Sequence, residues 1–133
     1  MKSVIVTGGL GFIFSNFIEL LLKKRYRVIN VDKITYASNV DFKPNSKNYS
    51  FVKEDTGKLR DIPCCDYIIN AAAESAVDKS IVGSKPFLDS NIVGTYNLLE
   101  LLRNKKIESM QYSWEYKDPI FVQISTDEVH RRY

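Results

Sequence analysis

Histidine occurs once in the 133 residues, at His130, and cysteine twice, as the adjacent pair Cys64-Cys65. A single histidine and no second pair of cysteines leave no spacing that a zinc site would use, so metal binding carries no weight. Neighbouring cysteines also make a poor structural staple. They read instead as two small residues at the start of a buried strand, in a chain suited to a reducing cytoplasm. No apolar run approaches the length needed to span a bilayer, and no secretory hydrophobic segment follows Met1-Lys2. Charge of one sign is scarce as well. The net charge is +3, with lysines and arginines interleaved among acids, which describes a solvated surface and not a nucleic-acid footprint. What remains, 44% hydrophobic and 26% charged, is the balance of one soluble domain with enough apolar material for a core.

Glycine is also sparse, at six residues, yet three of them stand together in Thr7-Gly8-Gly9-Leu10-Gly11. Before this turn, Lys2 to Thr7 is a β-branched run suited to a strand buried on both faces. After it, Phe12 to Lys24 carries a helical apolar stripe, closed by Lys23, Lys24 and Arg25 at the negative end of the helix dipole. Tyr26 to Val31 is a second strand ending at Asp32, and Ile34 to Asn48 reads as a turn-rich loop. Further strands fall at Tyr49 to Lys53, Asp66 to Asn70 and Ile120 to Ser125. Ser84 and Pro86 open a long helix running to about Lys105, whose apolar positions are broad enough to cover two surfaces; Ile107 to Asp118 reads as a loop. Alternating strands and helices imply right-handed crossovers and a parallel sheet. The fold class is α/β, a Rossmann-type doubly wound sheet of about five strands in the order 3-2-1-4-5.

A glycine turn between a first strand and a first helix lets backbone N–H groups approach a phosphate with no Cβ in the way. No Gly-Lys-Ser/Thr follows, which removes the nucleotide-binding P-loop as an alternative. Asp32 lies 21 residues after Gly11, where a carboxylate accepts hydrogen bonds from the adenosine ribose of a dinucleotide. That favours NAD over its phosphorylated relative, although Lys33 follows directly. Phe14 stands three residues after Gly11, in the place of the third glycine of the pattern. A benzyl group there is expected to push the helix outward and to weaken cofactor affinity. Asp127 and Glu128 stand at the carboxyl end of the fifth strand, where open α/β sheets bind ligands; the plainer reading is a solvated turn. Asn91 reads either as a satisfied backbone partner or as a ligand, Gly94 and Thr95 as close helix packing, and Tyr112, Trp114 and Tyr116 as loop aromatics.

The segments Thr7 to Ile13 with Ser15-Asn16-Phe17, Asp32 to Asn39, Ala72 to Ser80, Asn91 to Thr95 and Ser125-Thr126-Asp127-Glu128-Val129 together resemble the extended short-chain dehydrogenase/reductases. Among these the chain is most similar to the nucleotide-sugar 4,6-dehydratases, of which those acting on dTDP-glucose are best known. The Thr-Asp-Glu triplet separates them from the related sugar epimerases. The resemblance implies NAD as cofactor, with Gly8, Gly11, Phe12 and Ile13 at the pyrophosphate, and Asp32, Lys33 and Thr35 around the adenosine ribose. It places Asp55 and Thr56 beside the adenine, and Ala72, Ala73 and Ser75 along the path to the nicotinamide ribose. It implies catalysis by Thr126, which holds the sugar C4 oxygen, by Asp127 as the acid for the C6 hydroxyl and by Glu128 as the base at C5. The implied substrate is a nucleotide-glucose and the product its 4-keto-6-deoxy derivative. Relatives are typically homodimers through two helices per subunit, of which the segment near Pro86 to Lys105 is one.

Departures from that pattern shape the expectation. Ala76 stands where the family often has histidine. After Val129 the family continues Tyr-Gly, whereas this chain reads His130-Arg131-Arg132-Tyr133. On this reading residues 1–133 are a truncated NAD-binding domain without the substrate domain and without the Tyr-x-x-x-Lys pair that oxidises C4. Its fifth strand would be an uncovered apolar edge. Two readings stay open, the cofactor portion of a dehydratase and a catalytically inactive dinucleotide-binding module; a related nucleotide-sugar epimerase or dehydratase is the near alternative.

Overall fold

The computed structural model describes residues 1–34, 38, 41–71 and 92–124. Five strands form one sheet: β1 (Ser3–Thr7), β2 (Arg27–Asp32), β3 (Tyr49–Lys53), β4 (Tyr67–Asn70) and β5 (Ile120–Gln123). All four pairings are parallel, and the order is β3-β2-β1-β4-β5, as the alternation of elements predicts. β1 lies in the middle and is buried from Val4 to Thr7, which is why its residues are apolar or β-branched without alternation.

The pleat sorts the side chains into two layers. Val4 and Val6 of β1 and Val28 of β2 face helix α1 (Phe12–Lys23), which supplies Ile18 and Leu21. Ile5, Val31 and Ile68 face the other way, against Ile62 and against Leu98 of helix α2 (Gly94–Gln111). The register Val4↔Val28 and Ile5↔Ile68 makes this division consistent across strands. No helix fills the described part of the connection from β2 to β3; instead Phe42 packs on the α1 layer, with its ring edge against Tyr49 at 6.0 Å.

Three readings need correction. The second helix runs to Gln111, beyond Lys105, so residues 107–111 are helical and not loop. The segment is polar at 103–106, which hides its continuation, but Ser109 is buried and its hydroxyl donates to the Lys106 carbonyl. Cys64 is exposed and Cys65 only partly buried, because β4 begins later, at Tyr67. Tyr116 is not a free surface aromatic, since its hydroxyl is buried with no partner among the described residues, whereas Tyr112 and Trp114 are exposed and stacked on each other. The edge position of β5 is as expected, with Ile120, Val122 and Ile124 exposed. No helix among the described residues is long and apolar enough to cross a membrane.

Candidate functional site

The chain leaves β1 toward β2 and β3 on one side and returns to β4 on the other, so the strand order reverses between β1 and β4. Ligands of open α/β sheets bind at the carboxyl ends of the strands beside such a reversal. The glycine turn stands there. Gly8 adopts φ 72°, in the left-handed region that glycine reaches without a steric cost. Gly11 caps α1 in an extended conformation, its N–H donates to the Gly8 carbonyl at 3.1 Å, and a Cβ on it would approach that same oxygen to 3.3 Å. No side chain caps the helix and no acid lies in its first turn. The first N–H groups of α1 therefore offer a positive end to an anion, flanked by Phe12 and Ile13, which are 82% and 69% exposed.

Asp32 is buried at the end of β2 and ties this corner together. Its Oδ2 accepts from Leu10 N–H at 3.0 Å and its Oδ1 from Ile34 N–H at 2.8 Å. Ile34 holds φ 63°, an outlier for a β-branched residue, so the Asp32 hydrogen bond offsets local strain beside the site. Two steps earlier, the side chain of Asn30 is also buried; its Oδ1 accepts from Gly9 N–H at 2.9 Å and its Nδ2 donates to the Tyr49 hydroxyl at 3.1 Å. Burial, and to a smaller extent the Asp32 charge, raises the Tyr49 hydroxyl above its usual range against the opposing effect of the Asn30 hydrogen bond.

A second polar knot lies at the carboxyl ends of β1, β4 and β5. Thr7 Oγ1 donates to Asn70 Oδ1 at 2.6 Å, and Asn70 Nδ2 donates to Gln123 Oε1 at 2.8 Å and to Thr95 Oγ1 at 3.0 Å. Thr95 thus hydrogen-bonds across to the sheet as well as packing. Beyond β3, Asp55 caps a single 3-10 turn (Thr56–Lys58) through Gly57 N–H at 2.9 Å. Asn97 of α2 holds that turn by donating to the carbonyls of Thr56 and Leu59 at 2.6 and 2.9 Å.

Residues 5–130, which include the turn and the acidic end of β2, match the family model described as GDP-mannose 4,6 dehydratase. The chain belongs to the GDP-mannose 4,6-dehydratase family. Among curated members, it is 37% identical to a dTDP-glucose 4,6-dehydratase of Xanthomonas campestris pv. campestris, covering 98% of this chain and 39% of that protein. It is 38% identical to the dTDP-glucose 4,6-dehydratase of Haemophilus influenzae over 98% of this chain and 41% of that one. A solved structure of dTDP-glucose 4,6-dehydratase from Bacillus anthracis in complex with NAD matches with TM-score 0.72 and 34% identity, covering 98% of this chain and 39% of that chain. The chain therefore spans about two-fifths of the length of these relatives.

Of the residues expected at the dinucleotide, Gly8, Gly11, Phe12, Ile13 and Asp32 meet at one corner, with Lys33 half-buried beside them. Asp55 and Thr56 lie beyond the end of β3, which pairs with β2. Thr35, Ala72, Ala73, Ser75, Thr126, Asp127 and Glu128 lie outside the described residues, as do Asn91, Ala76 and His130. The sequence pattern of the extended short-chain dehydrogenase/reductases did not mark Asn30, Asn70 and Asn97. The signal was available for the first two: an amide inside an otherwise apolar strand is buried, and a buried amide needs partners. Among the described residues no group of three histidine, cysteine or acidic side chains could hold a metal.

Proposed function

We propose that residues 1–133 act as the NAD-binding domain of a dTDP-glucose 4,6-dehydratase, which converts the nucleotide sugar to its 4-keto-6-deoxy derivative. The observation that carries this is the uncapped amino end of α1 behind Gly8 and Gly11, held in place by the buried Asp32. These residues fit a dinucleotide: the glycines of the turn put no Cβ where a pyrophosphate would approach, and the Asp32 carboxylate stands at the end of the second strand, where ribose hydroxyls would approach. NAD in that position would take hydride from the sugar C4 and return it to C6, with the C4 hydroxyl proton passing to the tyrosine of the family's Tyr-x-x-x-Lys pair.

The roles of the chain's own residues follow. Backbone N–H groups at Phe12 and Ile13 would hold the pyrophosphate between Gly8 and Gly11. Asp32, with Lys33 and Thr35, would hold the adenosine ribose, and Asp55 and Thr56 would flank the adenine. Ala72, Ala73 and Ser75 would line the nicotinamide side. Thr126 would hold the C4 oxygen and Glu128 would remove the C5 proton, made acidic by the adjacent carbonyl. Asp127 would protonate the C6 hydroxyl, which leaves as water. Two neighbouring carboxylates in a closed pocket resist ionising together, so one can donate while the other accepts.

A homodimer belongs to the same reading and draws support from the outward side of α2, where Tyr96, Leu99, Ile107 and Met110 are exposed. A cytoplasmic location belongs to it as well, in keeping with two free thiols. The test is turnover of dTDP-glucose by the full-length protein with NAD. Wild type should form the 4-keto-6-deoxy sugar, and Glu128→Gln should lose about 10²–10⁴-fold in rate with NAD binding intact. NAD binding without any product would replace the dehydratase with a dinucleotide-binding module.

A further inference from the structure

Gly9 is the closest-packed point of the glycine turn. A Cβ there would strike the Asn30 amide and would come within 2.5 Å of Ile18 Cδ1, so glycine is required for Asn30 and α1 to approach the turn together. Asn30 is fully buried, and its side chain bonds Gly9 N–H in the turn after β1 and the Tyr49 hydroxyl on β3. Leu10, the next residue, is held by Asp32 on the same strand as Asn30. Two consecutive N–H groups of the turn are thus engaged by side chains of β2, and the following ones, at the start of α1, are left without a capping side chain.

We propose that Asn30 is a positioning residue for the dinucleotide pyrophosphate, with Tyr49 as its outer anchor. The amide oxygen draws Gly9 N–H away from the ligand and fixes the direction of the peptide planes that follow. Tyr49 holds Nδ2, which keeps Oδ1 turned to Gly9. The arrangement acts on phosphate-bearing ligands, because the Asn30 oxygen bonds Gly9 N–H inside the turn itself, whereas Asp55 and Thr56 belong to the 3-10 turn after β3. This rests on the NAD reading above.

The experiment compares ADP, NAD and adenosine binding by calorimetry in the full-length protein, for wild type, Asn30→Leu and Tyr49→Phe. Loss of one hydrogen bond of this kind corresponds to about tenfold in affinity. Asn30→Leu should weaken ADP and NAD by about tenfold or more, and Tyr49→Phe by about threefold, with adenosine within about twofold of wild type in both. Rescue by Asn30→Gln is not expected, since the longer side chain cannot occupy a site closed by Ile18 and Gly9. If Asn30→Leu does not fold, Tyr49→Phe decides alone. An unchanged ratio of ADP to adenosine affinity, or equal loss for both ligands, overturns the clamp while leaving the NAD site standing. Failure of wild type to bind ADP or NAD overturns the site and the clamp together.

Discussion

Asn30, Asp32 and Asn70 stand in strands whose other residues are mostly apolar, and each is buried with its polar atoms engaged. Asp32 was singled out by its distance to Gly11, because the carboxylate proposed to bind the ribose has a fixed place after the second strand. Asn30 and Asn70 could be marked as buried amides in apolar strands but not given partners, because nothing in a linear pattern tells which neighbouring strand supplies them. Cys65 shows the opposite failure, a residue read as plain filler that has a distinct environment. Burial, then the Asp66 carboxylate, then the neighbouring Cys64, pushes its thiol up to about 11. The folded chain keeps a proton there that an unfolded chain loses near pH 9. Cys65 therefore stabilises the fold fully below about pH 9, and this contribution declines as the pH rises toward 11. Denaturant midpoints measured from pH 8 to pH 11 should fall more steeply for wild type than for Cys65→Ser; parallel curves would show that the thiol titrates no differently in the fold.

Helix α1 was readable almost to the residue, since its apolar stripe and its basic end agree. Helix α2 was not, because the polar stretch from Arg103 to Lys106 interrupts the stripe while good helix formers carry the backbone on. Phe14 belongs to this scale. Its ring is half-buried at the margin of the α1 layer, edge-on to Phe17 at 6.2 Å. The tight approach between helix and turn is made instead by Ile18 against Gly9. Phe14→Gly should still bring the start of the helix closer to the turn, tightening NAD binding by about tenfold. It should also lower stability by about 1–3 kcal/mol, through the lost ring and a glycine inside a helix. Calorimetry with NAD, paired with urea unfolding, separates the two effects, and equal affinity for both proteins would dismiss the expected strain.

For the molecule as a whole, the strand order and the position of the turn followed from the alternation of elements, because parallel strands with helical crossovers allow few arrangements. The sheet places the Gly8–Gly11 turn, Asp32 and the Thr7–Asn70 knot at the carboxyl ends of its strands, and the family match adds the expectation that this end binds NAD. The proposed catalytic triplet Thr126-Asp127-Glu128 was marked only through resemblance, since three polar residues after a strand have no period to mark them. Occupancy of the turn by NAD is the decisive property of this end of the sheet. Calorimetric titration of the full-length protein with NAD should give saturable binding of one NAD per chain, abolished by Gly11→Val, whose side chain would crowd the Gly8 carbonyl and the helix end. No saturable binding, or binding unaffected by Gly11→Val, would contradict it.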